Sequence, residues 1–361
     1  MSTPRRTRAS SIAGGRPLLS ADLATVTWLT GLVTDIDYGP SPFTVPPLVL
    51  LDPDGGVVVV TSEDEAGGVA DGVETLTFTG FAIEDVDRPE AATRLALEAV
   101  GSASALSVDL ASLPGSVAVE LARRGVELVD VGPALRAARA VKDPDEIDAI
   151  RAAIRLADAG QAAAREAFAA GRSELDVYHA AFAAIESGAG GRVPLLADVV
   201  TGPRTAEVGG PPSDRVIESG DLLLVDLVPR LAGYWGDSCA TIALGDPPDE
   251  AAQAHRAATD ALRRGIELLR PGVRAGEVDE VVRKAIADAG GSYPHHSGHG
   301  VGTAFHEAPR IVPGNDQVLE AGMVVALEPG VYAETWGLRT EHVALVTEGE
   351  PELLSRHDLS L

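Results

Sequence analysis

Through its first third the chain alternates short apolar runs with turn-forming clusters. Residues 26–32 and 47–51 read as strands, and the run from Asp52 to Gly56 reads as a hairpin turn into a further strand at 57–61. Residues 91–100 and 117–124 have helical spacing, and short apolar runs follow each of them, at 106–110 and 126–131. This is the pattern of a mixed or parallel sheet with covering helices. It carries no phosphate-binding glycine loop and no cluster of catalytic side chains.

A new segment opens at Asp143. This residue is a helix N-cap, Pro144 suits the first helical position and Glu146 completes a capping box. Ile147, Ile150, Ile154 and Leu156 follow at roughly helical spacing. A second helix is expected over 174–187, ended by the glycines from Gly188 to Gly191. Beyond it lie a buried strand at 222–228, a turn near Ala232 and Gly233, and a strand at 239–244. Helices at 250–269 and 277–289 come next. Strands at 324–327 and 338–347, joined through 332–337, close the pattern. Helices followed by a carboxylate-bearing hairpin, twice over, predict an internal pseudo-duplication. The expected division is a disordered start at 1–16, an N-terminal domain at 17–138 and a C-terminal domain at 139–361.

A length of 361 residues suits two domains, and 45% hydrophobic residues suffice for a large core although only 4% are aromatic. The net charge of −25 excludes partners bound through basic patches, so neither nucleic acid nor an anionic membrane surface is expected. The plain role of that charge is solubility. Cys239 is the only cysteine, so no internal disulfide is possible and a reducing compartment is expected. No apolar run approaches a membrane span, and residues 1–16 lack the apolar core of a signal peptide. These readings predict a soluble, cytoplasmic protein with a frayed N-terminus.

The candidate chemistry sits in the second part. Asp226 interrupts the apolar run 223–228, where an ionised carboxylate needs a partner. Alone it reads as a structural salt bridge. Asp237 lies 11 residues later and faces the same space if the two strands pair as a hairpin. Two acids so placed repel unless a cation lies between them. Four of the chain's 8 histidines fall between His295 and His306, interleaved with Gly298, Gly300 and Gly302. A surface loop has no need of those glycines, whereas a loop lining a site needs their close backbone approach. Glu328 ends the apolar run 323–327, and Glu341 lies 13 residues on, so that together they repeat the geometry of the aspartate pair. Four carboxylates and one imidazole, His299, form a ligand set suited to a pair of divalent ions.

In this order, Asp226-x10-Asp237, Gly298-His299-Gly300-x-Gly302 with His306 seven residues after His299, Glu328-Pro329-Gly330 and Arg339-x-Glu341 resemble the pita-bread metallopeptidases. That group includes methionine aminopeptidase, prolidase and Xaa-Pro aminopeptidase. The prolidase and Xaa-Pro aminopeptidase branch is also matched from Lys142 to Ile147 and from Pro212 to Arg215, and the run Trp28 to Gly31 resembles its creatinase-type N-terminal domain. The resemblance implies an α+β fold. Its C-terminal domain would have the pita-bread (creatinase/aminopeptidase) fold with pseudo-duplicated halves, behind an α/β creatinase-like N-terminal domain. It implies two divalent ions, manganese first, with cobalt, iron or zinc as alternatives. Asp226, Asp237, His299, Glu328 and Glu341 would hold them, and the ions would activate a shared water for attack on the scissile carbonyl. Glu328 would also act as general base. His306 would hydrogen-bond the substrate, His295 would lie near the substrate or product end, and Arg339 would orient a ligand carboxylate. A short peptide or small amide is the implied substrate and a homodimer the implied assembly.

One position departs from the family pattern. Where the family carries a substrate-holding histidine, 17 residues before the first aspartate ligand, this chain has Gly209. His296 and Glu207 are the candidates to stand in for it. The leading reading is therefore Xaa-Pro aminopeptidase or dipeptidase activity. The second is a non-peptide amide hydrolysis or lyase reaction at the same metal site, and the third a non-catalytic binding module.

Overall fold

The structure is a computed structural model, and it describes residues 3–34, 45–80 and 87–361. It divides into two compact units, 1–139 and 140–361. No helix among the described residues is long and apolar enough to cross a membrane.

The first unit opens with α1 (Pro4–Ala13), where a frayed start was expected. The segment is arginine-rich and has no apolar run, so nothing local marked it as packed. Ala9 and Ala13 are buried, Arg6 Nε donates to the Leu29 carbonyl at 3.1 Å and the Arg8 guanidinium lies over the Trp28 ring. After β1 (Leu18–Ser20) comes α2 (Leu23–Thr30), in place of the strand expected at 26–32. Its β-branched residues favour a strand locally, but its caps decide otherwise. Asp22 accepts from the Thr25 N–H at 3.1 Å, and Gly31 ends the helix in the left-handed conformation.

The remaining elements of this unit are β2 (Leu48–Leu51), β3 (Val57–Ser62), β4 (Glu74–Phe78), α3 (Arg88–Val100), β5 (Ala105–Val108), α4 (Gly115–Arg123), β6 (Glu127–Asp130) and α5 (Gly132–Ala138). The strands form one mixed sheet in the order β4-β3-β2-β1-β5-β6. Its apolar faces carry two clusters, one built around Leu50, Leu97 and Leu106 and the other around Trp28, Val49 and Leu135.

The second unit repeats one plan. Its first half has α6 (Pro144–Ala167), α7 (Glu174–Ala189), β7 (Leu195–Thr201), β8 (Leu222–Leu231), β9 (Tyr234–Trp235) and β10 (Cys239–Ala243). The start of α6 matches the capping motif, with the Asp143 N–H donating to Glu146 Oε2 at 2.9 Å. The second half has α8 (Asp249–Glu267), α9 (Ala275–Asp288), β11 (Gly298–Gly300), β12 (Glu307–Ile311), β13 (Val324–Leu327), β14 (Gly330–Tyr332), β15 (Gly337–Arg339), β16 (His342–Leu345) and β17 (Glu352–Leu353). The single strand expected over 338–347 is thus broken at Thr340 and Glu341.

In each half a helix pair covers an antiparallel sheet, ordered β10-β8-β7 in the first and β12-β11-β13-β16-β17 in the second. The duplication extends to matched packing. Gly160 in α6 abuts Ile185 and Leu227, and Gly265 in α8 abuts Val282 and Leu327; a Cβ on either would lie within 3.0 Å of those side chains. Each glycine thereby lets a helix press on the strand residue next to a site carboxylate, Asp226 or Glu328. Burying a leucine such as Leu227 contributes about 1.5–3 kcal/mol, so this packing anchors the strands firmly.

A buried ion pair holds the start of β12. Lys142 Nζ lies 2.9 Å from Glu307 Oε1, with both side chains almost fully enclosed. Removing one partner of such a pair leaves the other charge stranded. Lys142→Met is expected to lower unfolding free energy by about 3 kcal/mol, and Lys142→Met with Glu307→Gln to recover most of it. Urea denaturation checks both; equal losses in the two variants would show that the pair is not coupled.

Candidate metal centre

Backbone pairing sets where the acidic side chains stand. On β8, Asp226 lies across from Asp198 of β7 on one side and Cys239 of β10 on the other. Asp237 sits in the short link between β9 and β10. His299 is the middle residue of β11, between β12 and β13. At Gly298 and Gly300, on either side of His299, an added Cβ would run into the Ala326 and Ala308 carbonyls, so only glycine lets these strands close on β11. Glu328 follows β13 directly, and its N–H donates to the Ser297 carbonyl at 2.9 Å. The Glu341 N–H donates to the Cys239 carbonyl at 3.0 Å, tying a second-half loop to a first-half strand.

These placements bring the five sequence-predicted residues together. Asp226, Asp237 and Glu341 each offer an oxygen within 4.8 Å of the others. His299 Nε2 lies 3.6 Å from Asp237 Oδ2 and 3.4 Å from Glu328 Oε1. His299 Nδ1 lies 3.0 Å from the Gly300 carbonyl, which can only accept, so Nδ1 carries the proton. Nε2 is then the ring atom that faces the carboxylates. Buried Glu341 Oε1 has no hydrogen-bond partner among the described residues. Lone pairs facing carboxylates, and an orphaned buried oxygen, are what a divalent cation would satisfy. The donor set fits such ions.

Electrostatics without an ion are correspondingly unfavourable. Burial, followed by the charges of Asp226 and Glu328, pushes the Asp237 carboxyl well above the usual range. Burial, with Asp237 and Asp226 beside it, does the same to Glu341. Burial raises Asp226 to about 6 against the pull of Arg339. Glu328 moves the other way: burial opposes its ionisation, but contacts from His296 and His299 outweigh that and hold it well below the ordinary value. The carboxylates share protons as one coupled system.

Arg339 braces this cluster. Its NH2 donates to Asp226 Oδ2 at 2.6 Å, while NH1 donates to the Val208 carbonyl at 2.6 Å and to the Tyr332 hydroxyl at 3.2 Å. The chain of bonds continues to His295. Its Nδ1 donates to the His296 carbonyl at 2.8 Å, so its Nε2 accepts from Tyr332 at 3.2 Å. Burial lowers the His295 pKa to about 4, and burial with His299 and His296 nearby lowers that of His306 to about 3, so both are neutral at pH 7.

A cavity of about 280 Å³ opens beside the cluster, with His295, His296, His306, Glu328 and Arg339 in its wall. Glu207, a candidate stand-in for the missing histidine, is not part of that wall. His296 is. Its Nε2 lies 2.7 Å from Glu328 Oε1, a close contact in which the N–H is not aligned as a hydrogen bond. Its Nδ1 accepts from Arg310 at 2.9 Å.

Sequence reasoning missed Tyr332 and Asp198. Tyr332 follows Glu328-Pro329-Gly330 closely enough to have been suspected. Asp198 had no signal, since it reads as one polar residue in an ordinary strand.

The chain's similarities run along the same segment. Residues 148–348 match the metallopeptidase family M24. The probable dipeptidase PepE of Mycobacterium tuberculosis is 38% identical over 218 residues, covering 59% of this chain, and the chain spans 58% of that relative's length. The Xaa-Pro dipeptidase of Pyrococcus horikoshii is 32% identical over 255 residues, covering 69% of this chain and 73% of the relative. The crystal structure of dipeptidase PepE from Mycobacterium ulcerans superposes with a TM-score of 0.81 at 30% identity, covering 99% of this chain and 96% of that one.

Proposed function

This chain belongs to metallopeptidase family M24, and from that premise we propose that it is an Xaa-Pro dipeptidase or aminopeptidase that uses two divalent ions to release the residue preceding proline in short peptides. The observation that carries the reading is the convergence of Asp226, Asp237 and Glu341 within 4.8 Å, with His299 and Glu328 alongside. The names of the relatives, dipeptidase and Xaa-Pro dipeptidase, support the substrate class.

Asp226, Asp237, His299, Glu328 and Glu341 would hold the ions. When bound, divalent ions supply Lewis-acid polarisation and a water of lowered pKa. Glu328, whose carboxylate stands beside His299 at the edge of the cavity, would accept the proton of the attacking water and later deliver it to the leaving amine. His306 is neutral and half-open to the cavity, so it can donate one N–H to the substrate carbonyl region. Arg339 fixes the direction of Asp226. His295 has both ring nitrogens engaged by the protein, so it serves as a wall rather than a proton carrier. The buried thiol of Cys239 is compatible with the cytoplasmic location in this proposal.

The test is turnover. The protein loaded with Mn²⁺ or Co²⁺ is expected to release the first residue from methionylproline, alanylproline and matching tripeptides, as measured by amine release. No turnover by protein containing two ions per chain would sink the reading. A second reading, hydrolysis of a non-peptide amide, is favoured by one observation. The position of the expected histidine is held by Gly209, and the carboxylate of Asp198 takes the adjoining space.

A further inference from the structure

Gly209 is not an empty notch. An added Cβ there would collide with the Asp198 carboxylate and lie 2.8 Å from its Cγ. As placed, the Asp198 carboxylate fills the space that a side chain at 209 would need. Because Asp198 pairs with Asp226 across β7 and β8, its side chain faces the same way as that of the candidate ligand. It is 39% exposed and lies in the wall of the 280 Å³ cavity. The nearby cation is Arg339, but its Nη2 is 3.7 Å from Asp198 and only 2.6 Å from Asp226, so Asp226 holds the guanidinium.

The rest of the wall sharpens the point. Leu196, Val228 and Phe305 form its apolar part. Its other carboxylates, Asp226 and Glu328, belong to the proposed ligand set. We propose that Asp198, made possible by Gly209, is a specificity-determining residue that gives the substrate cavity a negative charge, favouring substrates with an ammonium or guanidinium group and disfavouring those with a free carboxylate at that position. This rests on the peptidase reading above and adds a substrate class to it. An opposite charge at contact distance in a partly screened cavity is attractive and a like charge repulsive. A swing of roughly 10-fold between matched substrates is therefore expected.

The experiment compares four substrates on the metal-loaded protein and on Asp198→Asn: methionylproline, its amide, lysylproline and glutamylproline. The expected result is a preference of about 10-fold in kcat/KM for amide over acid, for lysyl over glutamyl, or for both. In Asp198→Asn that preference should shrink to within about threefold. A merely structural Asp198 would lower all four values together and leave their ratios alone, and that result overturns the proposal. If no substrate turns over, the peptidase reading fails separately. Calorimetric binding of prolinamide against proline to the same two proteins then decides the charge preference, and identical ratios in both would overturn it.

Discussion

Asp237→Asn is expected to abolish function while making the metal-free protein more stable. Its carboxylate is almost fully enclosed and stands among Asp226, His299 and Glu341. Loss of that ligand should leave fewer than two ions per chain by elemental analysis and lower hydrolysis by about 10³-fold or more. Stability should move the other way. The Asp237 pKa is raised in the folded state, so the folded protein favours the protonated acid. That advantage is complete below the unfolded value near pH 4 and is lost as pH rises through the raised folded value. At pH 7 to 8 wild-type protein without metal therefore carries an unfavourable ionisation that asparagine cannot have. A gain of about 1–2 kcal/mol is expected for the metal-free variant at pH 7, shrinking toward pH 4. Thermal melts across pH, with and without Mn²⁺, check it. Retention of both ions and of activity within tenfold would remove Asp237 from the site.

Replacing Arg339 should be damaging for the opposite reason. The guanidinium binds Asp226, the Val208 carbonyl and the Tyr332 hydroxyl from a fixed fork. Arg339→Met strands Asp226 beside other buried acids, and removing one partner of a buried pair costs about 3–5 kcal/mol. The loss should be largest without metal, because bound ions would neutralise the same carboxylates. Activity of the loaded variant should fall by about 10- to 100-fold, as for other residues that orient ligands. Arg339→Lys should restore charge but not the fork, and so recover stability better than kcat. Urea melts with and without Mn²⁺, paired with kcat, separate these effects; equal losses in both metal states would contradict the argument.

Much of this was legible in the chain because its signals are local. Asp143, Pro144 and Glu146 mark a helix start within four residues, and the structure has the capping contact there. Acids beside apolar strands are conspicuous because burial makes them expensive. Where one local signal misled, either a neighbouring cap or a packing contact had overruled it. The β-branched run 26–32 looked like a strand, yet the Asp22 and Gly31 caps make it a helix. The arginine-rich start looked frayed, yet Ala9 and Ala13 found a core to enter.

The sequence by itself determined which residues could bind metal and the order in which two similar halves present them, since motif spacing and burial conflict are written into short segments. Only the tertiary structure decided what lies beside them. Asp198 reaches the space at Gly209 because β7 pairs with β8 in one register and the following loop returns to it. His296 meets Glu328 because β11 lies against β13. Such contacts depend on how strands pair across tens of residues, and no periodicity along the chain records that pairing.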